Sequence, residues 1–366
     1  MRVHVVDPPA YTPPYDRALC AALARAGAEV ELVTSRFGYG DVAAADGYAV
    51  RESFYRLAPG APGSRARRAA RLAQHVPDML RERHAARRAD VVHFQWLPVQ
   101  SLDPFLLPRG RPVVLTAHDV LPREPRPGQL RGQLRLYERV DAVVAHSEHG
   151  RARLVGELGV DGGKVSVIPH AAFTVPAPPP GPDRLPAELA GAEGPVVLCF
   201  GLLRPYKGID VLLEAWRGLG AGAELWIVGR PRMDIAALRA SAPEGVRWVP
   251  RFVAEGEVSA LFRRATLAVL PYRESEQSGV LATALGAGTP LLATDVGGFG
   301  EIAARGAAEL VPPGDPGALR EGIARLLGDP AARERLRAAA LAAAQGPLSW
   351  ETSARAHLDL YASLLP

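Results

Sequence analysis

Short apolar runs that favour β-strands alternate with helical patterns along this chain, and the alternation pauses once before it restarts. Such alternation predicts βαβ units and therefore parallel sheets. The runs before the pause are RVHVVD, EVELVT, DVVHFQW, PVVLTAHD, AVVAHS and VSVIP, and those after it are PVVLCFG, ELWIVG, VRWVP, LAVLPY, PLLATDV and AELVPP. A chain of 366 residues also exceeds the usual size of one domain. We therefore expect two doubly wound, Rossmann-like α/β domains.

The pause in the pattern predicts the domain boundaries. Residues 174–195 are rich in Pro and Gly and carry no sustained strand pattern, which indicates a linker. We expect one domain over 1–173 and a second over 196–348. The last stretch, 349–366, predicts an amphipathic helix, with Ser349 as its N-cap, that packs back across the domain boundary.

Composition excludes several classes of protein. The formal net charge is only +4 and the basic residues are spread along the chain, which does not favour nucleic-acid binding. Cys20 and Cys199 have no spacing typical of a disulfide framework or a zinc site. The chain also lacks H-E-x-x-H and Asp-x-Asp patterns, so no metal is expected.

The same features predict a cytoplasmic protein. The first residues pass directly into a strand pattern without a signal-peptide core. No apolar run approaches the roughly 20 residues that cross a bilayer. Residues 64–88 form an arginine-rich helical pattern that we expect Pro77 to interrupt. A solvated helix face is one interpretation of this stretch, and weak peripheral contact with an anionic inner membrane face, or with an acidic acceptor, is the other.

Two cations follow the first strand pattern of the second domain. A helical stripe consists of Ile209, Leu212, Leu213 and Trp216. A helix therefore begins near Gly208, and Arg204 and Lys207 lie in the strand-to-helix loop. Backbone N–H groups and the helix dipole favour an anion there, and two cations suit a nucleotide diphosphate. Lys207 is one of only two lysines among 43 basic residues. Two ordinary surface cations are the alternative interpretation.

A second helix N-terminus is predicted at the same edge of this sheet. Ser278 and Gly279 open a short helical pattern that Gly288 and Pro290 end. Ligands in open parallel sheets bind at the carboxyl ends of the strands. The two loops are therefore expected to share a ligand.

These motifs, together with ATDVGG, LVPPGD and the terminal SWE helix, resemble in order and spacing a family 4 glycosyltransferase of the GT-B fold, over nearly the whole chain. The resemblance implies two Rossmann-like domains facing a central cleft. It implies retaining, front-face transfer of a sugar from a UDP, GDP or dTDP sugar to an acceptor hydroxyl of a small molecule, glycan or lipid-linked acceptor. Neither a metal nor a cofactor is implied.

The resemblance also assigns residues. Catalytic roles are implied for His118, Arg204, Lys207 and Glu274. Donor contacts are implied for Arg204, Lys207, Phe252, Val253, Glu276, Gln277, Ser278, Gly279, Val280 and Thr283. Acceptor contacts are implied for Tyr11, Tyr15, His93, Gln95 and His118, while His146, His149 and His170 are expected to serve local structure.

The chain departs from the pattern of similar enzymes at three places. Ser275 and Thr283 stand where the family usually carries two glutamates, so either Glu274 or Glu276 is left to contact the donor sugar. In similar enzymes an arginine commonly follows the first Gly of this loop directly, whereas here Leu202 stands at that position and Arg204 comes two residues later. A Pro-Pro pair replaces the usual Gly-Gly in the first loop.

Some assignments have alternatives. Phe252 and Val253 are equally well explained as core residues, and His118 as a structural loop histidine. The chain as a whole could be a nucleotide-sugar epimerase or a phosphorylase of the same fold, or a sugar-nucleotide binder without catalysis.

Overall fold

The computed structural model describes residues 1–59, 64–122, 125, 127–173, 185–219 and 222–366. The chain forms two compact units, Met1–Pro169 with Trp350–Pro366, and His170–Ser349. Part of the predicted linker, residues 174–184, lies outside the described residues. The remainder of it belongs to the second unit, where Ala187–Leu189 form a 3₁₀ turn.

The first unit contains a seven-stranded parallel sheet. Its strands are β1 (Arg2–Asp7), β2 (Glu29–Ser35), β3 (Ala49–Phe54), β4 (Val91–Phe94), β5 (Val113–Thr116), β6 (Ala142–Ala145) and β7 (Val165–Val167). Its helices are α1 (Pro13–Arg25), α2 (Arg65–Ala85), α3 (Asp103–Leu106), α4 (Gln129–Arg139) and α5 (Glu148–Ala152), which continues as a π-helical turn over Arg153–Glu157. The strand order is β3-β2-β1-β4-β5-β6-β7.

The second unit repeats this plan with six strands. They are β8 (Val196–Phe200), β9 (Glu224–Val228), β10 (Val246–Val249), β11 (Leu267–Leu270), β12 (Leu291–Thr294) and β13 (Glu309–Val311). The helices are α6 (Ile209–Trp216), α7 (Ala236–Ala240), α8 (Glu255–Arg264), α9 (Gly279–Ala287), α10 (Phe299–Ala303), α11 (Pro316–Gly328) and α12 (Pro330–Gln345). The order β10-β9-β8-β11-β12-β13 is doubly wound. The predicted α/β class is confirmed.

The central strands follow from their sequences. Strands β4, β5, β6, β11 and β12 are buried along their whole length and are rich in Val and Leu, as expected for parallel strands covered on both faces. Strand β3 was not predicted, because AVRESF has no apolar run. It lies at the edge of the sheet, where Arg51 and Glu52 remain partly or fully exposed.

A last helix, α13 (Trp350–Ser363), returns to the first unit. The ring centroids of Trp350 and of Tyr15 on α1 lie 5.2 Å apart in an edge contact. Farther along, the Tyr361 hydroxyl lies 2.6 Å from His93 Nδ1 on β4. The first unit is therefore assembled from both ends of the chain.

Helix α2 runs through Pro77, so the predicted interruption is wrong. Its inner face is held on both sides of the proline. His75 Nε2 lies 2.5 Å from Asp103 Oδ1, and Glu82 accepts a 2.9 Å hydrogen bond from Arg51. Pro77 itself is exposed, so water can satisfy the carbonyl that loses its helical partner. Among the described helices, none has both the length and the apolar character needed to span a bilayer.

Three of the buried histidines of the first unit, His93, His146 and His357, have lowered pKa values. His93 and His357 are fully buried, with ring centroids 5.4 Å apart, and His146 is 7% exposed. Burial disfavours the charged imidazolium. It lowers the pKa of His93 well below its ordinary value and lowers the pKa values of His146 and His357 to about 4. All three rings are neutral near pH 7.

This burial predicts a loss of stability in acid. In the unfolded chain His357 protonates near the ordinary histidine pKa of 6.5, but in the folded chain it stays neutral down to a pKa of about 4. The unfolded state therefore binds more protons in this range. As the pH falls from 6.5 to 4, the free energy of unfolding of the parent should fall relative to that of His357→Asn by on the order of 1 kcal/mol per pH unit.

Urea unfolding at several pH values measures this difference. Comparison with a variant is needed because burial also raises the pKa values of the Asp7 and Asp16 carboxyls, which titrate with the opposite effect on stability. His84→Asn, at an exposed position on α2, is the matched control and should follow the parent. Parallel profiles for the parent and His357→Asn would contradict the prediction.

Candidate active site

The end of β8 is shaped by two glycines. Gly201 has φ of +112°, and its N–H donates to the Val228 carbonyl at 3.0 Å. A Cβ on Gly229 would lie 1.9 Å from the Gly201 carbonyl oxygen. Side chains at these positions would force β8 and β9 apart. The chain therefore leaves the sheet through a turn that only glycines allow.

The turn between β8 and α6 is fixed to the end of β11. Gly208 has φ of +64°, and a Cβ there would lie 1.9 Å from the Pro271 carbonyl oxygen. Arg273 donates to the Pro205 carbonyl at 2.9 Å and to Asp210 Oδ1 at 2.9 Å. This hydrogen bond holds the pKa of the Asp210 carboxyl below its ordinary value. The two loops singled out by their sequences are thus in direct contact.

Lys207 lies in this turn with its ammonium group inside the protein. The residue is 5% exposed, and Nζ contacts the hydroxyl of Tyr272. Nζ also lies 4.1 Å from the centroid of the Tyr272 ring and 5.8 Å from that of Tyr206, both within the range of cation–π attraction. A Cβ on Gly201 would lie 3.1 Å from Nζ. A glycine there makes room for the ammonium group.

The same tyrosine connects Lys207 to the start of α9. The Tyr272 hydroxyl lies 3.4 Å from Ser278 Oγ. Ser278 is the N-cap of α9, and its Oγ accepts a hydrogen bond from Leu281 N at 3.4 Å. The positive end of the α9 dipole therefore lies beside the buried ammonium. Both features favour an anion at this edge of the sheet.

Arg204 supplies a second cation. It is half-buried at the end of the loop that precedes the 3₁₀ turn Pro205–Lys207. Its guanidinium makes no hydrogen bond or ion pair within residues 1–59, 64–122, 125, 127–173, 185–219 and 222–366. The guanidinium can therefore form a two-pronged contact with phosphate oxygens.

At the two positions where similar enzymes carry glutamate, the Ser275 and Thr283 side chains make hydrogen bonds within the protein. Ser275 is 8% exposed, and its Oγ donates to the Gln277 carbonyl at 2.8 Å. Thr283 Oγ1 donates to the Gly279 carbonyl at 2.8 Å, within α9. Both hydroxyls therefore shape the loop and helix, and the Thr283 oxygen can still accept a hydrogen bond from a ribose hydroxyl but cannot donate one while this bond is made.

The remaining donor candidates differ in exposure. Glu274 is exposed, whereas Glu276, Gln277 and Val280 are half-buried. Gln277 Oε1 is buried and makes no hydrogen bond to any residue that the structure describes. This oxygen can accept a bond from a ligand hydroxyl.

The loop after β10 presents one side chain outward and one inward. Phe252 is 44% exposed. Val253 is 6% exposed and belongs to the hydrophobic core of the second unit. Val253 is therefore a core residue, which was the alternative interpretation of its role. The exposed Phe252 ring is able to stack on a planar ligand.

In the first unit His118 lies at the end of β5 in a histidine relay. It is 3% exposed, with Nδ1 3.3 Å from His146 Nε2 and Nε2 3.0 Å from Gln95 Oε1. His146 Nδ1 lies 2.9 Å from the Ile168 carbonyl, to which it must donate. Because burial lowers the pKa of His146 to about 4, its Nε2 carries a lone pair near pH 7. Because the Gln95 Oε1 oxygen can only accept, His118 Nε2 donates to it, and the 3.3 Å contact with His146 Nε2 holds the other side of the His118 ring.

Aromatic rings fix His118 from two sides. Trp96 stacks on it with centroids 4.9 Å apart and planes at 12°, and Tyr15 approaches edge-on at 4.8 Å. Tyr15 is 2% exposed, so it supports the ring from inside. Tyr11 is 48% exposed and contacts Trp96 edge-on at 4.7 Å.

Two other buried residues, His93 and Asp7, stabilise the structure around His118. His93 is fully buried, and its ring nitrogens lie 2.6 Å from the Tyr361 hydroxyl and 2.7 Å from Thr116 Oγ1. A ring with both nitrogens occupied in the core supports the sheet end rather than contacting a ligand. Asp7 Oδ2 accepts from Tyr11 N at 2.6 Å and so closes the loop after β1.

Sequence reasoning missed three of these contacts. Tyr272 was not singled out, although it follows the end of β11 closely in LAVLPY. Trp96 was read as part of a strand, and His146 was expected to serve local structure, yet both orient His118. Among the described residues, no three His, Cys, Asp or Glu side chains are grouped so as to hold a metal ion.

Two family models match the chain. One, described as Glycosyl transferases group 1, matches residues 194–329, and one described as Glycosyltransferase Family 4 matches residues 17–172. A curated D-inositol 3-phosphate glycosyltransferase of Kineococcus radiotolerans is 28% identical over 94% of this chain and 88% of the relative. One of the same description from Frankia alni is 28% identical over 74% of each chain.

Solved structures share the fold along the whole chain. Sucrose-phosphate synthase from Thermosynechococcus elongatus has a TM-score of 0.74 at 20% identity, covering 100% of this chain and 99% of that one. HepE from Anabaena, in complex with UDP-glucose, has a TM-score of 0.77 at 19% identity, covering 100% of each chain. The predicted GT-B fold, with two Rossmann-like units, is confirmed.

The close approach at Gly208 predicts a specific sensitivity. Gly208→Ala combines a positive φ with a Cβ 1.9 Å from the Pro271 carbonyl oxygen. We expect a loss of roughly 2–4 kcal/mol in the free energy of unfolding, measured in urea. Gly256→Ala in the first turn of α8, where a Cβ meets no atom within 4 Å, should stay within about 1 kcal/mol of the parent. Equal stabilities of the two variants would contradict this.

Proposed function

Since the chain is a glycosyltransferase of the GT-B fold and of the family 4 type, we propose that it transfers a sugar, with retention and without a metal, from a nucleotide-diphosphate sugar to an acceptor hydroxyl. UDP-glucose is the first donor to test, because it is bound in the solved structure of HepE. The observation that carries the proposal is the ammonium of Lys207, buried against Tyr272 beside the N-terminus of α9.

Positive charge at this place suits a departing nucleotide diphosphate. When the bond between the sugar and the phosphate breaks, negative charge grows on the leaving oxygen. The Lys207 ammonium and the Arg204 guanidinium are fixed charges in a partly water-excluded site, where they stabilise that charge more strongly than they would in water. Because two cations and a helix dipole supply the charge, the reaction needs no metal ion.

Retention follows if the acceptor attacks from the face that the phosphate leaves. The leaving phosphate oxygen then takes the proton of the acceptor hydroxyl, and no carboxylate nucleophile is required. The exposed Glu274 and the half-buried Glu276 and Gln277 are proposed to contact the donor sugar, with Gln277 Oε1 accepting from a hydroxyl. His118, held by His146 and Trp96, is proposed to orient hydroxyls of the acceptor or donor sugar.

The two cations have a matched control in this chain. Lys207→Ala and Arg204→Ala should each lower kcat/KM for the donor on the order of a hundredfold, as expected for loss of one preorganised donor to a developing charge. UDP release from the sugar donor measures this, with circular dichroism as the check on folding.

Lys164→Ala removes the other lysine, which donates to the Glu138 and Val140 carbonyls in the first unit. It should retain parental turnover. Near-normal rates in both cation variants would remove the basis of the proposal.

The chemistry predicts the product. With an α-linked UDP-sugar, NMR of the first product formed should show an α-linkage, and a chelator such as EDTA should leave the rate unchanged. A β-linked product would mean inversion, and a rate lost with EDTA and restored by a divalent ion would mean metal dependence. Either result leaves the glycosyltransferase assignment intact and rejects the stated mechanism.

One observation favours a second candidate, a sugar-nucleotide binder without catalysis. Thr283 stands where similar enzymes carry a glutamate, and because its hydroxyl donates to the Gly279 carbonyl it can only accept from a ribose hydroxyl. Such a protein would bind UDP-sugar and release no UDP with any acceptor. An epimerase would convert the donor without acceptor, and a phosphorylase would require inorganic phosphate or pyridoxal phosphate.

We also propose that α2 brings the protein to an anionic cytoplasmic membrane face. Arg65, Arg68 and Leu72 are exposed on this helix, and Leu72 is 58% exposed. The acidic residues Asp78 and Glu82 of the helix are turned inward. A helix face of arginine and leucine suits the boundary between anionic headgroups and acyl chains.

Vesicle co-sedimentation tests the membrane proposal. The protein should sediment with phosphatidylglycerol-containing vesicles and not with pure phosphatidylcholine, and the binding should weaken with added salt. The triple variant Arg65→Glu, Arg68→Glu and Leu72→Ser should lose most of this binding. Arg335→Glu with Arg337→Glu, at exposed positions on α12, is the control and should bind like the parent. Equal loss in both variants would indicate a general charge effect.

A further inference from the structure

The loop after β1, residues 8–12, follows a path that its own sequence fixes. Its two prolines restrict the backbone, and Ala10 has φ of +52°, in the left-handed region that residues other than glycine rarely adopt. The Ala10 N–H donates to the Asp7 carbonyl at 3.1 Å, and Asp7 Oδ2 accepts from Tyr11 N at 2.6 Å and from Thr12 N at 3.4 Å. Strained backbone that its surroundings hold in place is typical of functional sites.

Thr12, which ends this loop, is the N-cap residue of α1, but its side chain does not cap the helix. An N-cap hydroxyl usually accepts a hydrogen bond from a backbone N–H in the first turn. In the described structure the Thr12 side chain makes no such bond to α1, and the first two helical positions are Pro13 and Pro14, which have no N–H to donate. The Thr12 hydroxyl is therefore left for a contact outside the helix.

That contact is with the indole of Trp96, 84 positions away in the sequence. Trp96 Nε1 donates to Thr12 Oγ1 at 3.0 Å, and the Thr12 hydroxyl donates in turn to Asp16 Oδ1 at 3.5 Å. An indole has one N–H to donate, so the position of Thr12 sets the direction of the Trp96 ring. The exposed Tyr11 ring of the same loop adds an edge contact with the indole, with centroids 4.7 Å apart.

The indole of Trp96 sets the plane of the His118 ring. The two rings are stacked with centroids 4.9 Å apart and planes at 12°. Gln95 Oε1 and His146 contact the nitrogens of His118, but these contacts lie along the ring and resist its tilting only weakly. Tyr15 approaches His118 edge-on, so the face of the indole is the broad surface against which the imidazole lies flat.

We propose that Thr12 is a positioning residue for sugar transfer, whose hydroxyl orients Trp96 and, through the stacked indole, the ring of His118. This inference rests on the proposed function, in which His118 orients sugar hydroxyls. A small misplacement of an orienting group lowers a rate steeply, because the reacting hydroxyl must be held within a narrow range of distance and angle. Loss of the Thr12 hydroxyl should therefore lower kcat and spare donor binding, since Arg204 and Lys207 belong to the second unit.

NMR tests the structural step without any substrate. In protein with isotope-labelled histidine rings, the ring current of the stacked indole shifts the His118 ring protons upfield, and their signal is assigned by its loss in His118→Asn. Thr12→Val keeps the shape of the side chain and removes the hydroxyl, so this signal should move toward the position of an unstacked histidine. In Thr12→Ser, which keeps the hydroxyl, it should stay at the parental position. An unmoved signal in Thr12→Val overturns the inference.

Kinetics test the functional step. UDP release from UDP-glucose is measured with water alone and with myo-inositol, glucose, mannose, galactose and their phosphate monoesters, and the acceptor with the highest parental rate is used. Thr12→Val should lower kcat about tenfold and leave the KM for UDP-glucose within about twofold of the parental value. Thr12→Ser should keep kcat within about threefold. A parental kcat in a folded Thr12→Val protein, or a raised donor KM with kcat unchanged, overturns the inference.

Two further variants separate this hydrogen bond from a general loss of stability. Thr266→Val removes another half-buried threonine hydroxyl, which accepts from Val196 N at 3.1 Å in the second unit, and it should keep the parental kcat and the parental His118 signal. An equal loss of kcat in Thr266→Val rejects a specific role for Thr12.

Trp96→Phe removes the donor of the same hydrogen bond and completes a double-mutant cycle. Because the bond is already absent in Trp96→Phe, adding Thr12→Val should lower kcat less than about twofold further. A further loss of about tenfold would show that Thr12 acts by a route other than Trp96, which rejects the inference.

The two proposals fail in different ways. If the parent protein releases UDP under none of these conditions, the proposed function fails, and the role of Thr12 in transfer fails with it. If the parent transfers sugar but Thr12→Val keeps the parental kcat or the parental His118 signal, only the role of Thr12 fails.

Discussion

The contact between Gly208 and the Pro271 carbonyl is the constraint on which the candidate donor site depends. With a Cβ 1.9 Å from that oxygen, no larger residue could hold the turn after β8 against the end of β11. That approach buries Lys207 and brings its ammonium to the Tyr272 hydroxyl. A buried ammonium is costly in an apolar interior, and the rings of Tyr206 and Tyr272 together with the Tyr272 hydroxyl help to stabilise it there.

The candidate acceptor region in the first unit is organised by neutral hydrogen bonds. His118 is oriented by His146 and stacked by Trp96, and both neighbours are themselves held by the ends of the strands. Since burial lowers the pKa of His146 to about 4, the His146 ring stays neutral across the physiological pH range. The two cations of the candidate donor site, Arg204 and Lys207, belong instead to the second unit, where a phosphate is expected.

Much of the architecture could be predicted because the relevant signals are local. Buried parallel strands are apolar runs, and Ser278 and Gly288 mark the ends of α9. Strand β3 escaped prediction because an edge strand needs no apolar run, and α2 continued through Pro77 because contacts distant in sequence hold it. Contacts such as that of Lys207 with Tyr272 join residues 65 positions apart, and no local pattern encodes such a pairing. The placement of Arg204 at a strand end was predictable, but the internal use of the Thr283 hydroxyl was not.

The position of α13 has a consequence for how the protein is made. His93 on β4 and Tyr361 on α13 are 268 positions apart, yet they share a buried hydrogen bond. The first half of the chain to leave the ribosome therefore lacks part of its core until the final residues emerge, whereas the second unit is continuous and can complete its core earlier. During synthesis the order of maturation would be the reverse of the order of translation, and a nascent chain cut short before Trp350 would leave the surface of α1 without its cover.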